Sequence, residues 1–283
     1  MKNLICLLPV LLLFMSCGNS DVNSTNLEEP VGADAVAENW IPLFNGKDLE
    51  GWDIKIAGKD VNDNFQNTFV WEDDMLRIKY DEYDEFEDLF GHIYYKIPYS
   101  YYKLRFDYRF TGEQTPGGSS WNVRNSGVML HSQSAASNEY GQHFPVSVEL
   151  QLLGGLNDGK PRTTANVCTP GTTVMMGDTL NNRHCISSSS ETYDGDQWVH
   201  AEAVVLGGEA MHFLIEGDTV LSFQNPQLGG GNAKQLRKWG LGKAADKWIA
   251  RDGEILTKGY IALQAESHPI DFRNVELLKL PEQ

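Results

Sequence analysis

Long apolar segments are scarce in this chain of 283 residues. The longest, residues 4–14, is too short to span a bilayer and has the length of a signal-peptide core. It leads into Ser16-Cys17, the small residue and cysteine of a lipid-attachment motif, although an ordinary cleaved signal peptide would share the same apolar core. We expect residues 1–16 to be a signal peptide and Cys17 to be lipidated. The protein would then lie in the cell envelope, at the outer membrane, with the lipid as its only membrane contact.

Cysteine is also scarce, with four in the whole chain. Cys6 leaves with the signal peptide and Cys17 carries the lipid, so Cys168 and Cys185 remain. In the oxidising envelope these two are expected to form a disulfide, with two free thiols as the alternative. Neither has a second cysteine close by, which argues against a zinc site of paired cysteines, and we predict no cofactor.

Basic residues are outnumbered, with 23 Lys and Arg against 39 Asp and Glu and a formal net charge of −16. A chain this acidic is repelled by nucleic acid and by anionic lipid surfaces, so neither is an expected partner. The charge is compatible with a soluble enzyme or with a binder of neutral ligands.

Helix-like periodicity is rare, whereas strand-like alternation recurs. Residues 17–39 are mostly small and polar and predict a flexible tether. Within residues 40–281, runs such as residues 104–110 alternate apolar and charged side chains, and breaks rich in Gly and Asp separate the runs. The pattern predicts one all-β domain in which two antiparallel sheets pack face to face.

Two segments depart from this pattern. Residues 81–88 are acidic with aromatic residues between the acids, which predicts a solvated loop or, as the alternative, a calcium site. Residues 226–258 form a long segment that carries several basic residues and Trp239. Such a segment either covers a ligand site, with Trp239 as a contact to the ligand, or packs a short helix on the edge of the sandwich.

Polar side chains share the non-core face of three predicted strands. Successive residues of a strand point to opposite faces, so the apolar residues assign the core face and the others face away. Lys and Arg, the usual residues of a solvated face, are missing from all three runs. We therefore predict a polar floor for a sugar, with the wet outside of a sandwich as the alternative. The floor residues are Asn125 and His131 on the first strand, Glu149 and Gln151 on the second, and Gln264 and Glu266 on the third.

The last predicted strand breaks its own alternation. Phe272 and Val275 differ in parity although both are apolar, and one extra residue near Arg273-Asn274 would bring both to the core. Such a β-bulge often re-aims side chains beside an active site. Arg273 is therefore a candidate for the polar floor.

Five short motifs are spread over the predicted domain. They are residues 40–52, Arg124-Asn125-Ser126-Gly127-Val128, residues 148–152, residues 259–264 and Phe272-Arg273-Asn274-Val275. In their order and spacing they resemble the 3-keto-disaccharide hydrolase family over about residues 40–281. The resemblance implies a concanavalin A-like jelly-roll sandwich of two antiparallel sheets. After Gln264 the chain departs from the family pattern, which leaves His268 without an assigned role.

The chemistry that this resemblance implies differs from ordinary glycoside hydrolysis, which needs two facing carboxylates. A ketone at C3 of a sugar acidifies the C2 proton, so one base can remove that proton and expel the C1 substituent, after which water adds back. Glu149 is the expected base, His131 the competing base, and Arg273 the group that stabilises the anion. A non-catalytic carbohydrate-binding module and a conventional glycosidase are the alternatives. The expected sugar contacts are Asn125, Gln151, Gln264, Glu266 and Trp239.

Overall fold

The structure is a computed structural model, and it describes residues 38–229 and 232–282. The predicted signal peptide, the lipidated Cys17 and nearly all of the predicted tether lie outside the described residues. Within the described ranges, no helix is long and apolar enough to cross a membrane.

Seventeen strands form the described domain. The first eight are β1 (Ile41–Pro42), β2 (Trp52–Ile56), β3 (Phe69–Glu72), β4 (Met75–Ile78), β5 (Gly91–Tyr95), β6 (Tyr101–Phe110), β7 (Asn125–Ser132) and β8 (Val148–Leu153). The others are β9 (Asn166–Cys168), β10 (Thr172–Met176), β11 (Thr179–Asn181), β12 (Cys185–Ile186), β13 (Val199–Leu206), β14 (Ala210–Ile215), β15 (Asp218–Leu228), β16 (Tyr260–Ala265) and β17 (Ile270–Lys279). In the part of the chain that the structure describes, helical structure is limited to α1 (Asp246–Ile249) and to 3₁₀ turns at Phe65–Asn67, Ser120–Asn122, Ala135–Ser137, Asn232–Arg237 and Gly242–Ala245.

Antiparallel pairing joins these strands into two sheets. The ten-stranded sheet has the order β11-β10-β15-β14-β13-β6-β17-β4-β3, with β1 beside β17. The seven-stranded sheet has the order β12-β9-β8-β7-β16-β5-β2. The predicted all-β class and the jelly-roll sandwich of two antiparallel sheets are confirmed.

The hydrophobic core lies between the two sheets. Every second residue of β6 is buried, and Leu104 and Phe106 are fully enclosed. From the seven-stranded sheet, Val148 and Leu150 enter the same core, as the parity of β8 predicts. Burial of each large apolar side chain contributes roughly 1.5–3 kcal/mol relative to exposure, so these alternating runs hold the sheets together.

The outer face of the seven-stranded sheet is covered. Every residue of β7 is buried, although only one face of that strand contributes to the core between the sheets. Ala135 belongs to a small buried cluster with Met129, separate from the main core, and the His143 backbone N–H donates to the Trp239 carbonyl at 2.9 Å. Residues 133–147 and the segment around Trp239 therefore roof part of this face. The alternative of a wet outer face is wrong for this part of the sheet.

A β-bulge interrupts β17 at the predicted position. The register of β17 against β6 shifts between Arg273 and Glu276, and Asn274 has a φ of 52°. Phe272 and Val275 are consequently both buried, which confirms that one extra residue reconciles their parity.

Candidate active site

A pocket of about 250 Å³ opens on the outer face of the seven-stranded sheet. Its volume lies just below the ~300–1,000 Å³ that is usual for sites of drug-sized ligands, so it suits a ligand of about one sugar ring. Strands β7, β8, β9 and β12 and the residue after β16 form the floor, and loop residues form the walls. The lining comprises Trp121, Asn125, Phe144, Glu149, Gln151, Cys168, Pro170, His184, Cys185, Trp239 and Glu266.

Glu149 lies in the middle of β8, between Met129 of β7 and Cys168 of β9. Its carboxylate extends over Gly127, because a Cβ atom at that glycine would lie 2.8 Å from Glu149 Cγ and 2.9 Å from Cδ. Glu149 is 6% exposed, and among the described residues no group donates a hydrogen bond to its carboxylate. Burial therefore raises the pKa of Glu149 to about 8. A carboxylate with this basicity can act as a general base near neutral pH.

Glu266 is the second buried carboxyl group of the pocket. It follows directly after β16. In the antiparallel pairing of β16 with β7, Leu263 lies opposite Val128. Three residues further along β16, the same register brings Glu266 beside Asn125. Its Oε2 atom is buried without a partner among the described residues. Burial and the repulsion from Glu149 together raise the pKa of Glu266 well above its usual range. A negative charge on Glu149 therefore favours the neutral form of Glu266 in the same pocket.

Three amides form a hydrogen-bonded row across the floor. Asn125 Nδ2 donates to the Trp121 carbonyl at 3.2 Å, and Gln151 Nε2 donates to Asn125 Oδ1 at 3.4 Å. Asn166 Nδ2 in turn donates to Gln151 Oε1 at 3.1 Å. These contacts orient the amides of Asn125 and Gln151 and leave one amide proton of each for a ligand.

Aromatic side chains form one wall of the pocket. Trp239 packs against Phe144 and His184, with ring centroids 5.3 Å and 4.9 Å away. The Cys168–Cys185 disulfide joins β9 to β12 in the floor and holds the chain at His184 next to the pocket. The segment of residues 226–258 thus does both things that the sequence suggests: it forms short helices and it supplies Trp239 to the pocket.

Gln264 lies on the same face of the sheet but below the lining. It is fully buried between His92 of β5 and, by the same register, Gly127 of β7. Neither its amide nitrogen nor its oxygen has a partner among the described residues, and the same is true of His92 Nε2. Burial lowers the pKa of His92 to about 3, so this imidazole stays neutral. The Gln264 amide therefore has both hydrogen-bonding functions available close to the position of the Glu149 carboxylate over Gly127.

The structure does not bring His131 to the pocket, which corrects the prediction of a competing base there. An extra residue in β7 shifts the register with β16 between Met129 and Ser132, and His131 takes a φ of 47°. The bulge turns the imidazole away from the floor, and its Nε2–H donates to the Gly207 carbonyl at 2.8 Å. Burial lowers the pKa of His131 to about 4.

Arg273 is also remote from the pocket, which corrects its predicted role. It belongs to β17 in the ten-stranded sheet and faces outward, so the hydrophobic core separates it from Glu149. Its Nε atom donates to Asp107 at 3.1 Å, and its guanidinium lies 3.9 Å from the ring centroid of Trp198. The bulge in β17 preserves the core register and leaves Arg273 in an ion pair on the opposite surface.

His268 is buried beside Phe110, with ring centroids 5.6 Å apart, and does not line the pocket. Both ring nitrogens lack partners among the described residues. Burial, followed by the nearby Arg124, lowers the pKa of His268 to about 4, so the ring is neutral.

Metal-binding geometry is missing from the described ranges, where no three His, Cys, Asp or Glu side chains are grouped to hold an ion. In the acidic segment of residues 81–88, Asp84, Glu85 and Glu87 line a shallow surface pocket with Phe65 and Gln66. Calcium binding there stays an untested prediction.

The pocket also contains residues that strand parity did not identify. Trp121 lies in the 3₁₀ turn at Ser120–Asn122, and the others lie in loops, so no strand alternation marks them; the loop residues are Phe144, Pro170 and His184. Two features of the sequence placed such residues near predicted site elements. His184 directly precedes Cys185 of the predicted disulfide, and Trp121 lies three residues before the motif that begins at Arg124.

Comparisons with known proteins agree with this architecture. A family model described as a 3-keto-alpha-glucoside-1,2-lyase-like domain matches residues 39–278. A candidate glycosyl hydrolase from Parabacteroides distasonis ATCC 8503 has a TM-score of 0.50 at 20% identity, with 86% of this chain and 94% of that chain covered. A protein of unknown function with a galectin-like fold from Bacillus subtilis has a TM-score of 0.50 at 13% identity, with 87% and 96% covered. A search of curated proteins found no match. The two structures support the fold alone; the family model covers nearly the whole described domain, and the chain belongs to the family of 3-keto-alpha-glucoside-1,2-lyase-like domains.

Proposed function

We propose that the protein cleaves 3-keto-glycosides by elimination across C1 and C2 of the oxidised sugar, followed by addition of water. One observation carries the proposal: Glu149 and Glu266 are buried in one pocket, where burial raises the pKa of both and a charge on Glu149 further raises the pKa of Glu266. An elimination of this kind needs one base and one acid, and this pair supplies both.

The ionised Glu149 removes the C2 proton, which the neighbouring ketone has acidified, and an enolate forms at C3. The enolate collapses, the C1–O bond breaks, and a C1=C2 double bond forms. The leaving oxygen takes the proton of the neutral Glu266. Water then adds to C1, giving one proton to Glu266, while Glu149 returns its proton to C2. The net reaction is hydrolysis, and both carboxyl groups regain their starting states.

Amides in the floor support the enolate step. Asn125 and Gln151 line the pocket, and each keeps one amide proton for a ligand. Donors held in a buried site stabilise developing negative charge better than water does, because they do not have to reorient during the reaction. The proposal therefore needs no arginine at the enolate oxygen, which is the role first expected of Arg273.

A conventional glycosidase is the second candidate, because it too uses two carboxyl groups in one pocket. The two carboxyl groups here lie on one floor, on strands separated only by β7, so they approach a ligand from the same side. Single or double displacement at C1 usually needs groups on both sides of the glycosidic bond, whereas removal of the C2 proton does not. A carbohydrate-binding module is the third candidate, and it requires no buried acid pair.

Product analysis with matched substrates tests the proposal. We expect turnover of a 3-keto-glycoside and none of its unoxidised parent. Glu149→Gln should abolish turnover while binding persists, and substrate deuterated at C2 should react more slowly if proton removal limits the rate. The value of kcat/KM should rise as pH approaches about 8, since Glu149 must lose its proton to act. Equal cleavage of the unoxidised glycoside would exclude elimination, and normal turnover by the variant would exclude Glu149 as the base.

A further inference from the structure

Trp121 is the exposed member of the pocket lining. It is 52% exposed, whereas the other lining residues are buried or half-buried. Its indole stacks on the buried ring of Phe90, with centroids 6.1 Å apart and planes 13° from parallel. The Asn125 side chain holds the Trp121 backbone carbonyl from the floor. A large flat ring is therefore fixed at the pocket mouth with much of its surface open to solvent.

The floor of the pocket has a direction. Glu266 and Asn125 lie at one end, and Asn125 is bonded to Trp121, so Trp121 stands at the Glu266 end. Cys168 lies on the other side of Glu149, and its disulfide leads to Cys185 and the half-buried aromatic wall. A ligand that places one group over Glu149 and another at Glu266 therefore extends towards Trp121.

We propose that Trp121 is a platform for the leaving group and selects substrates whose leaving group is a ring. The inference rests on the proposed function, in which neutral Glu266 protonates the leaving oxygen, so that the leaving group must lie at the Glu266 end. The oxidised sugar occupies the enclosed part of the pocket, which has room for about one ring. The apolar face of a second sugar ring, or an aromatic aglycone, stacks on the open indole. A methyl leaving group is too small to reach it.

Three substrates with one oxidised sugar separate these requirements: a 3-keto-disaccharide, an aryl 3-keto-glycoside and a methyl 3-keto-glycoside. Trp121→Ala should lower kcat/KM for the two ring substrates roughly three- to tenfold, as expected for one stacking contact, and change the methyl substrate by less than about twofold. Trp121→Phe should keep most of the preference. The disaccharide and aryl arms show which ring the platform favours. Tyr140→Ala is the matched control, because Tyr140 is a 65% exposed aromatic residue outside the pocket lining.

An equal loss on all three substrates would overturn the platform, and so would unchanged kinetics on the ring substrates. Affinities measured in a Glu149→Gln background, with and without Trp121→Ala, keep the two proposals separate. If wild type turns over none of the substrates, the proposed function fails, but a loss of affinity confined to ring ligands still supports the platform. Melting temperatures of the Trp121 variants identify any general loss of folding.

Discussion

Replacement of Glu149 by Gln should stabilise the protein at alkaline pH and leave its stability nearly unchanged in acid. The folded protein keeps the Glu149 proton up to about pH 8, whereas an unperturbed carboxyl releases it near 4.5. Between these values the folded state binds more protons than the unfolded state, so the free energy of unfolding of the wild type falls as pH rises. The glutamine amide that replaces the carboxyl group does not titrate, so the variant escapes this loss.

The magnitude follows from the pKa of Glu149. One pH unit corresponds to about 1.4 kcal/mol, so the loss for the wild type is roughly 3 kcal/mol at pH 7 and approaches roughly 5 kcal/mol above pH 8. The neutral carboxylic acid and the amide have nearly the same shape, so the two proteins should agree within about 1 kcal/mol at pH 4. Such a gain is a large fraction of the roughly 5–15 kcal/mol that stabilises most domains.

Urea unfolding of both proteins at pH 4, 7 and 8.5, with the disulfide intact, measures the effect. The exposed Glu113, replaced by Gln, serves as the control, and its variant should follow the wild type at each pH within about 0.5 kcal/mol. If Glu149→Gln also follows the wild type at every pH, the carboxyl group is not desolvated in the folded protein. In that case the division of roles between Glu149 and Glu266 loses its physical basis.

Three further perturbations test parts of the pocket. Gly127→Ala places a methyl group 2.8 Å from Glu149 Cγ, so it should displace the carboxylate and lower kcat on a 3-keto-glycoside about a hundredfold. It should also lower the free energy of unfolding in urea by roughly 1–3 kcal/mol, and an unchanged kcat would show that the carboxylate does not need this space. Reduction of the Cys168–Cys185 disulfide, which spans 17 residues, should lower the free energy of unfolding by about 3 kcal/mol and weaken binding of ligand. Equal melting temperatures with and without reductant would contradict this prediction. Arg273→Lys should leave kcat/KM within about twofold, because its ion pair lies on the other face of the sandwich, and a loss above about tenfold would return Arg273 to the mechanism.

Local patterns along the chain determined the fold class and most of the core. The alternation of apolar and charged residues in residues 104–110 predicts a strand with one buried face. The prediction needs only local information, because successive side chains of any strand point to opposite faces. The same rule assigned Val148 and Leu150 to the core and Glu149 and Gln151 to the opposite face. The bulge in β17 was predictable because it repairs a parity error that is visible in the sequence itself.

Contacts between distant parts of the chain decided the site. Parity says that Arg273 faces away from the core, but only the strand order shows that it does so on the ten-stranded sheet, across the core from Glu149. His131 does not lie in the floor because of a bulge in β7. Between two positions where β7 pairs with β16, β7 has one residue more than β16, and the sequence of neither strand shows this difference. The burial of Glu149, its pairing with Glu266 and the wall built by Trp239 all depend on loops that close over one sheet face. The sequence by itself determined which side chains share a face of each strand. Only the tertiary structure decided which of these side chains come together, because the two carboxyl groups of the buried pair, Glu149 and Glu266, lie more than a hundred residues apart in the chain.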